Sequence, residues 1–394
     1  MRNVHIVSAA RSAVGKKHGT LANTHPTDIL GPVQMEVVRR AGIASSAVGQ
    51  VIGGCPDAVG AQAGNIIRTS WLTYGGAFEV AGATVDTACG SSQHALNLAA
   101  AMIASGKEDV VLACGVENMN IVPLAAPGPD GTKAGHGKPI TRRYWEHYEF
   151  TSQFQGVERM AIKYGLTREQ ADALAVESQR RARRALDEGR FTEQIVPIAA
   201  TLLDADGHKL DETALFQVDE VPRDTTIERL AQLTPVTQAD GIHSAAACSQ
   251  IADGAGALLL MSDDALQRYG LTSRARITET CLVGCDPVLM LEGPIPATQR
   301  MLQRRGLGID DIDVFEVNEA FAGVILAWAQ VVQPDMERVN PNGGAMALGH
   351  PLGGTGCILA VKALHELERA DQERALVSMC CGGGLGTGTL IERG

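Results

Sequence analysis

No stretch of the chain approaches the ~18 uninterrupted apolar residues that a membrane-crossing helix requires, which argues against a membrane protein. A basic balance is also missing. The net charge of −11 argues against general affinity for nucleic acid or an anionic membrane surface, and leaves at most a local basic patch for an anionic ligand. Val4 to Ala10 is too short for a secretory apolar region and reads as a first strand. With an odd count of nine cysteines, reduced thiols and a cytoplasmic location are expected. Glu392-Arg393-Gly394 is not a peroxisomal address of the Ser-Lys-Leu kind. Cys281 and Cys285 form a spaced pair, but no second pair or histidine cluster accompanies them, so no metal is expected.

Two nucleotide-binding signatures fail on their details. Gly344 and Gly349 have Walker spacing, yet His350-Pro351 stands where the lysine and hydroxyl residue belong. The run Cys380-Cys381-Gly382-Gly383-Gly384-Leu385-Gly386 lacks G-x-G-x-x-G spacing and lies too near the terminus to open a βαβ unit.

What is present is a globular composition. The 394 residues are 45% hydrophobic and 20% charged, enough for two or three folding units, and 44 glycines with many alanines point to close backbone packing. Short apolar runs alternate with helical stretches over the first ~118 residues, the pattern of a parallel sheet covered by helices. Around Asn120 the texture turns to Pro, Gly and a charged aromatic segment, Arg142 to Tyr148, consistent with an inserted lid or loop domain reaching about Ser249. Inside it, Thr167-Arg168-Glu169-Gln170 is a capping box opening a helix to about Glu188, and Arg180, Arg181, Arg183 and Arg184 read as a solvated face. Strand patterns resume at Ala255 to Met261. The order turn, helix, polar break, strand recurs after Cys89 and after Gly349, a weak internal repeat.

Chemistry concentrates in four stretches. In Thr87-Ala88-Cys89-Gly90-Ser91-Ser92, an apolar approach meets a turn and then a run (Ala95, Leu96, Leu98, Ala99, Met102, Ile103) at helical spacing, with Ser91 or Ser92 as its cap. Cys89 at a helix N-terminus favours a thiolate nucleophile, with Gly90 leaving room for substrate; a buried inert cysteine is the rival reading. His350, in a glycine-packed loop, is either a base or a histidine merely satisfied in a turn. The glycine turn after Cys380 offers backbone N–H groups for an oxyanion hole, with Cys380 as a second thiol, or is simply a structural turn. Asn318, after a strand and before the apolar run Val324 to Val332, is a catalytic amide or a helix cap.

Taken in order and separation, Cys89 in its Cys-Gly-Ser turn, Gly115-Val-Glu-Asn-Met119, Asn318-Glu-Ala-Phe-Ala322, Gly349-His350-Pro351 and Cys380-x-Gly-Gly-Gly384 resemble the thiolase family over essentially the whole chain. The resemblance implies an α/β thiolase fold: two similar βαβαβαββ halves in a five-layered α-β-α-β-α core. It assigns residues 1–119 and 250–270 to the first half, 120–249 to a loop domain for coenzyme A, and 271–394 to the second half. It implies thiolytic cleavage of 3-ketoacyl-CoA or the reverse Claisen condensation. Cys89 would carry the acyl group, His350 would be its base, Cys380 the acid/base at the α-carbon, Asn318 the holder of a water in one oxyanion hole, and the N–H groups of Cys89 and Gly382 the other. By the same likeness Arg223 and Ser249 meet CoA, Met290 borders the acyl pocket, Phe321 lies at the substrate site, and the chain is a homodimer or homotetramer. The ligands are CoA thioesters as substrates, with no separate cofactor. A ketoacyl-synthase-like enzyme would carry a second histidine where Cys380 stands; a non-catalytic acyl-CoA binding protein is the other alternative. Departures lie in the walls: Ser244 to Gln250 reads Ser-Ala-Ala-Ala-Cys-Ser-Gln, Thr237 replaces an aromatic, and Ser152-Gln153 replaces His-Met, which suggests branched or ring-bearing acyl groups.

Overall fold

The computed structural model describes residues 2–204 and 206–393; Met1, Ala205 and Gly394, the last position of the Glu392 to Gly394 stretch, lie outside them. The strands are β1 (His5–Ser12), β2 (Gly15–Lys16), β3 (Gln50–Gly54), β4 (Ala81–Val85), β5 (Val110–Asn118), β6 (Ile195–Val196), β7 (Ile198–Leu203), β8 (Lys209–Phe216), β9 (Ala252–Met261), β10 (Ala275–Gly284), β11 (Val314–Val317), β12 (Arg374–Cys381) and β13 (Leu385–Glu392). Among the described residues, eleven of them join in one sheet whose path is β11-β12-β13-β10-β1-β9-β5-β3-β4, with β2 on β9 and β6 on β1; β7 and β8 form a separate hairpin.

The topology repeats itself. Outward from the central β1–β10 pair, each side runs through its first long strand, its last, and then the one before it: β1, β9, β5, β3 on one side and β10, β13, β12, β11 on the other. Orientations match as well. β9–β5 and β13–β12 are antiparallel, while β5–β3 and β12–β11 are parallel. The halves meet where His5 pairs with Arg276 and Ile6 with Ala275.

Between the two sets of strands lie the helices Ser91–Ala104 and Leu352–Ala370. Nearly every residue from Leu352 to Leu367 is buried, as expected of a helix covered on all sides. Contact between the two helices is close enough that a Cβ at Gly356 would stand 2.2 Å from the Gln93 backbone nitrogen. Ser92 Oγ accepts the Cys357 N–H at 3.1 Å, tying one helix start to the other. Beneath them Gln93 donates to the Val377 carbonyl at 2.8 Å and Asn97 to the Gly388 carbonyl at 3.1 Å, satisfying buried amides against the second half.

β5 and β9 are buried at every position, so they show no alternation of polar and apolar residues. Both run beyond their apolar stretches because their polar residues are paired: Asn118 donates to the Leu21 and Thr24 carbonyls, and Asn120 donates to Asp253. The chain leaves the sheet at Asn118 and returns at Ala252, with Asn118 opposite Asp253. The segment between them carries helices Gln153–Tyr164 and Arg168–Asp187, each opened by a capping box, Ser152 with Gln155 and Thr167 with Gln170. It is not wholly separate, because Ile195 and Val196 pair with Arg11 and Ser12 of β1.

The arginine cluster is only partly solvated. Arg180 and Arg183 are exposed, but Arg181 is buried, bonded to Glu177 and to the carbonyls of Met336 and Val339, and Arg184 donates to the Pro341 carbonyl. Long stems and five donors let arginine serve carbonyls that periodicity does not reveal. No described helix is long and apolar enough to cross a membrane.

Candidate active site

Cys89 stands on a strained turn. Ala88 adopts φ +49, a left-handed conformation that costs a non-glycine residue about 1–2 kcal/mol. Two side chains hold it: Asp86 Oδ1 accepts the Ala88 N–H at 2.9 Å, while Ser91 Oγ accepts the Thr87 N–H at 2.9 Å and donates to the Ala88 carbonyl at 2.6 Å. Ser91 therefore ties the turn rather than capping the helix, whose N-cap is Gly90. The space at Gly90 is also used differently from the sequence expectation. A Cβ there would stand 2.5 Å from Cys381 Sγ and 2.8 Å from Thr387 Cγ2, so the second half of the chain, not substrate, occupies that room.

Burial overrides the helix terminus at Cys89. Desolvation pushes the thiol up to about 11, against the lowering effect of the Gly382 N–H and its own N–H, with Asp57 and Glu117 adding to the rise. At neutral pH Cys89 therefore rests as a thiol. Cys380, at the buried end of β12, is likewise raised well above the ordinary value by burial and by neighbouring Cys89.

His350 follows Gly349, whose φ of +89 and whose missing Cβ, 2.7 Å from Ala252 Cβ, let the loop pass. The His350 N–H is held by the Gln250 carbonyl at 3.0 Å. Its Nδ1 lies 2.7 Å from Thr355 Oγ1, and that hydroxyl donates to the Pro351 carbonyl at 2.8 Å. Thr355 is thus an acceptor toward the ring, so Nδ1 carries the proton and Nε2 the lone pair. Burial lowers His350 to about 4, which keeps its ring neutral across physiological pH.

Asn318 Nδ2 is 3.3 Å from His350 Nε2. Its Oδ1 is buried and unpaired among the described residues. Asn318 is not a helix cap, since the next helix begins at Ala322 with Phe321 at the cap position. Cys89, His350, Ser249, Phe321 and Gln153 line one cleft of about 110 Å³. Met290 and Gly383 instead border a second cavity of about 400 Å³, with Tyr144, Tyr148 and Phe150. Met290, at φ +63, packs in one apolar cluster with Cys248, Phe321 and Cys380.

Arg223 does not line the Cys89 cleft. Its side chain is exposed and makes no ion pair among the described residues, while its N–H donates to Gln179 Oε1 at 2.9 Å. The preceding residues are fixed firmly. Buried Arg11 grips Asp219 with two bonds of 2.7 and 2.8 Å, and Glu220 accepts the N–H groups of Lys16 and Thr20.

Residues 4–264 match the family model described as Thiolase, N-terminal domain, and residues 271–393 match Thiolase, C-terminal domain. The chain belongs to the thiolase family. It is 43% identical to the steroid 3-ketoacyl-CoA thiolase FadA6 of Mycobacterium tuberculosis, over 100% of this chain and 95% of that protein. It is 37% identical to an acetyl-CoA acetyltransferase of Pseudomonas aeruginosa, with 100% of both covered. Among solved structures, the Bacillus anthracis acetyl-CoA acetyltransferase superposes with a TM-score of 0.90 at 35% identity, covering 100% of this chain and 99% of that one. Human mitochondrial 3-ketoacyl-CoA thiolase gives 0.87 at 33%, with the same coverage.

Thr355, which holds His350, and Phe154, which lines the cleft, are site residues that the sequence patterns do not single out. Thr355 had a legible signal: a hydroxyl five residues after the histidine, at the first turn of the helix that follows it. Gln153 lines the cleft, whereas Ser152 is taken up in its capping box. Among the described residues, the clustered donor triplet suited to a metal is Asp204, Asp206 and His208, all exposed between β7 and β8, and Cys281 and Cys285 are not part of it.

Proposed function

We propose that Cys89 is the acyl carrier of this thiolase-family acyltransferase, with His350 as its base and Cys380 as the acid/base at the α-carbon. The reaction is thiolytic cleavage of a 3-ketoacyl-CoA by CoA, or the Claisen condensation in reverse. In the cleavage direction His350 Nε2 takes the Cys89 proton and the sulfur attacks the 3-keto carbon. Collapse of that adduct breaks the C2–C3 bond, leaving the acyl group on Cys89 and an acetyl-CoA enolate that Cys380 protonates at C2. The thiol of a CoA molecule then gives its proton to the Cys380 thiolate and attacks the acyl-sulfur carbonyl. The departing Cys89 sulfur recovers its proton from His350, and every group returns to its starting state.

The observation that carries the reading is the Thr355–His350–Asn318 chain, which leaves the lone pair of a neutral ring on Nε2 while His350 and Cys89 line one cleft. Donors for the negative intermediates are the N–H groups of Cys89 and Gly382 on one side. On the other stands Asn318, whose unpaired Oδ1 suits a water shared with His350. Arg223 and Ser249 are assigned to CoA, Met290 and Phe321 to the acyl group, and the segment 120–249 to the seat of CoA between halves 1–119 with 250–270 and 271–394. A cytoplasmic homodimer or homotetramer that uses CoA thioesters with no separate cofactor completes the proposal.

A bulky, ring-bearing acyl group is the substrate class we assign. The open groove of about 400 Å³ bounded by Tyr144, Tyr148, Phe150 and Met290 supports it, because Met290 shares one apolar cluster with Cys380 and with Phe321 of the Cys89 cleft, as does the likeness to a steroid thiolase. CoA-dependent thiolysis over a panel of 3-ketoacyl-CoAs tests both levels. Preference for ring-bearing substrates is expected; preference for acetoacetyl-CoA would refute the substrate class, and no turnover with unreactive Cys89 and intact CoA binding would refute the catalytic reading.

A further inference from the structure

His243 is fully buried and takes no part in the steps above. Its Nε2 accepts the Gly323 N–H at 3.0 Å, so the ring proton sits on Nδ1, which faces Glu158 Oε1 at 2.9 Å. Glu158 also accepts the backbone N–H groups of Ile242 (3.0 Å) and His243 (3.2 Å) and the Thr237 hydroxyl. Burial raises its pKa, but these bonds prevail and hold it at about 2, so a carboxylate keeps the proton on Nδ1.

The Gly323 amide belongs to the first turn of helix Ala322–Val332, where backbone donors lack partners inside the helix. Phe321, at the cap position, has no side-chain oxygen to offer, and His243 supplies the acceptor from another segment. Approach is close: a Cβ at Gly323 would stand 2.7 Å from His243 Nε2. The imidazole also meets the Phe321 ring edge-on at 5.8 Å, and Phe321 meets Phe154 in the same manner at 5.6 Å. Further along, Cys248 bridges Phe321, and the Ser249 N–H donates to the Ala320 carbonyl at 2.9 Å. The segment carrying Ser249 is thereby clasped onto the segment that follows Asn318.

We propose that His243, oriented by Glu158, is a positioning residue that caps helix Ala322–Val332 and fixes Phe321 in the wall of the Cys89 cleft. This rests on the thiolase reading of that cleft. The residue touches no reacting atom, and its effect runs through Gly323 and Phe321.

The test compares His243→Val, which removes both polar atoms, with His243→Gln, whose amide offers one donor and one acceptor, in the full chain. Amide hydrogen exchange over residues 319–326 is read alongside steady-state thiolysis. In His243→Val, exchange there rises about tenfold or more as the local opening energy falls. Its kcat falls on the order of tenfold while KM for CoA stays within about twofold. His243→Gln restores both readouts. Unchanged exchange in His243→Val, or equal losses in the two variants, overturns the proposal. Should His243→Val not fold, Gly323→Ala carries the same test, because its methyl displaces the ring; unchanged exchange there overturns the proposal equally. A wild-type chain without thiolysis would defeat the thiolase reading, and the exchange comparison would still decide whether His243 caps the helix.

Discussion

Among the described residues, Thr355 Oγ1 is the sole hydrogen-bond partner of His350 Nδ1, at 2.7 Å. One hydroxyl therefore sets which nitrogen of His350 carries the lone pair. Thr355→Val is expected to lower kcat for thiolysis about 10–100-fold, a part of the ~10²–10⁴ that a positioned general base contributes. Thr355→Ser keeps the acceptor and is expected to recover most of it. Equal activity in the valine variant would refute this role.

Burial shifts His350 and Cys89 in opposite directions. His350, lowered to about 4 by burial, stays neutral as pH falls from 7.5 to 5.5, so its titration does not reduce kcat/KM over that range. An acid limb centred near 6.5 that Thr355→Val shifts would contradict it. The sign for stability follows: the unfolded histidine binds a proton below about 6.5 and the folded one does not until about 4, so this residue makes the fold less stable as pH falls through that window.

Cys89, raised to about 11 by burial, is a thiol in the free protein at neutral pH. Its alkylation by iodoacetamide is expected to be stoichiometric, blocked by acetyl-CoA, and to accelerate about tenfold per pH unit between pH 7 and 10 as the thiolate fraction grows. A rate that plateaus below pH 8 would mean a low-pKa thiolate instead. Cys89→Ala is expected to abolish both labelling and thiolysis.

Gly90→Ala pushes a methyl to within 2.5 Å of Cys381 Sγ and 2.8 Å of Thr387 Cγ2. Overpacking of this kind costs about 1–3 kcal/mol, readable as a lower denaturant midpoint. Because Gly90 adjoins Cys89, kcat should fall with it. Full activity and stability would show that the two halves are less tightly apposed there.

Arg223→Ala removes an exposed guanidinium with no ion pair among the described residues. Stability should change by less than about 0.5 kcal/mol, as for surface substitutions generally. KM for CoA is expected to rise about tenfold, the worth of one charge-assisted hydrogen bond, with kcat unchanged and the effect weaker at high salt. No change in KM would remove Arg223 from the CoA site.

Features written locally in the chain were the legible ones. The Thr167–Gln170 capping box marked its helix start, and the turn-helix-strand order after Cys89 and Gly349 foretold the repeated topology. What escaped depends on partners far away. His243 and Glu158 are 85 residues apart and Arg181 and Val339 158, distances at which no periodicity or cap rule speaks. The ionisation of Cys89 is hidden from a short window for a related reason. A helix start is visible in a short window, but burial comes from the whole fold, and it outweighs the helix terminus by raising the thiol to about 11.

The mutual clasp of the two central helix starts also bears on how the protein reaches its native state. Ser92 meets Cys357 across 265 positions and Gln93 meets Thr387 across 294, so the seat of Cys89 cannot be completed by early, local contacts. Chains dominated by such distant pairings fold slowly. On dilution from denaturant, helical signal should return well before thiolysis does, which makes regained activity a timer for the final docking of one half onto the other.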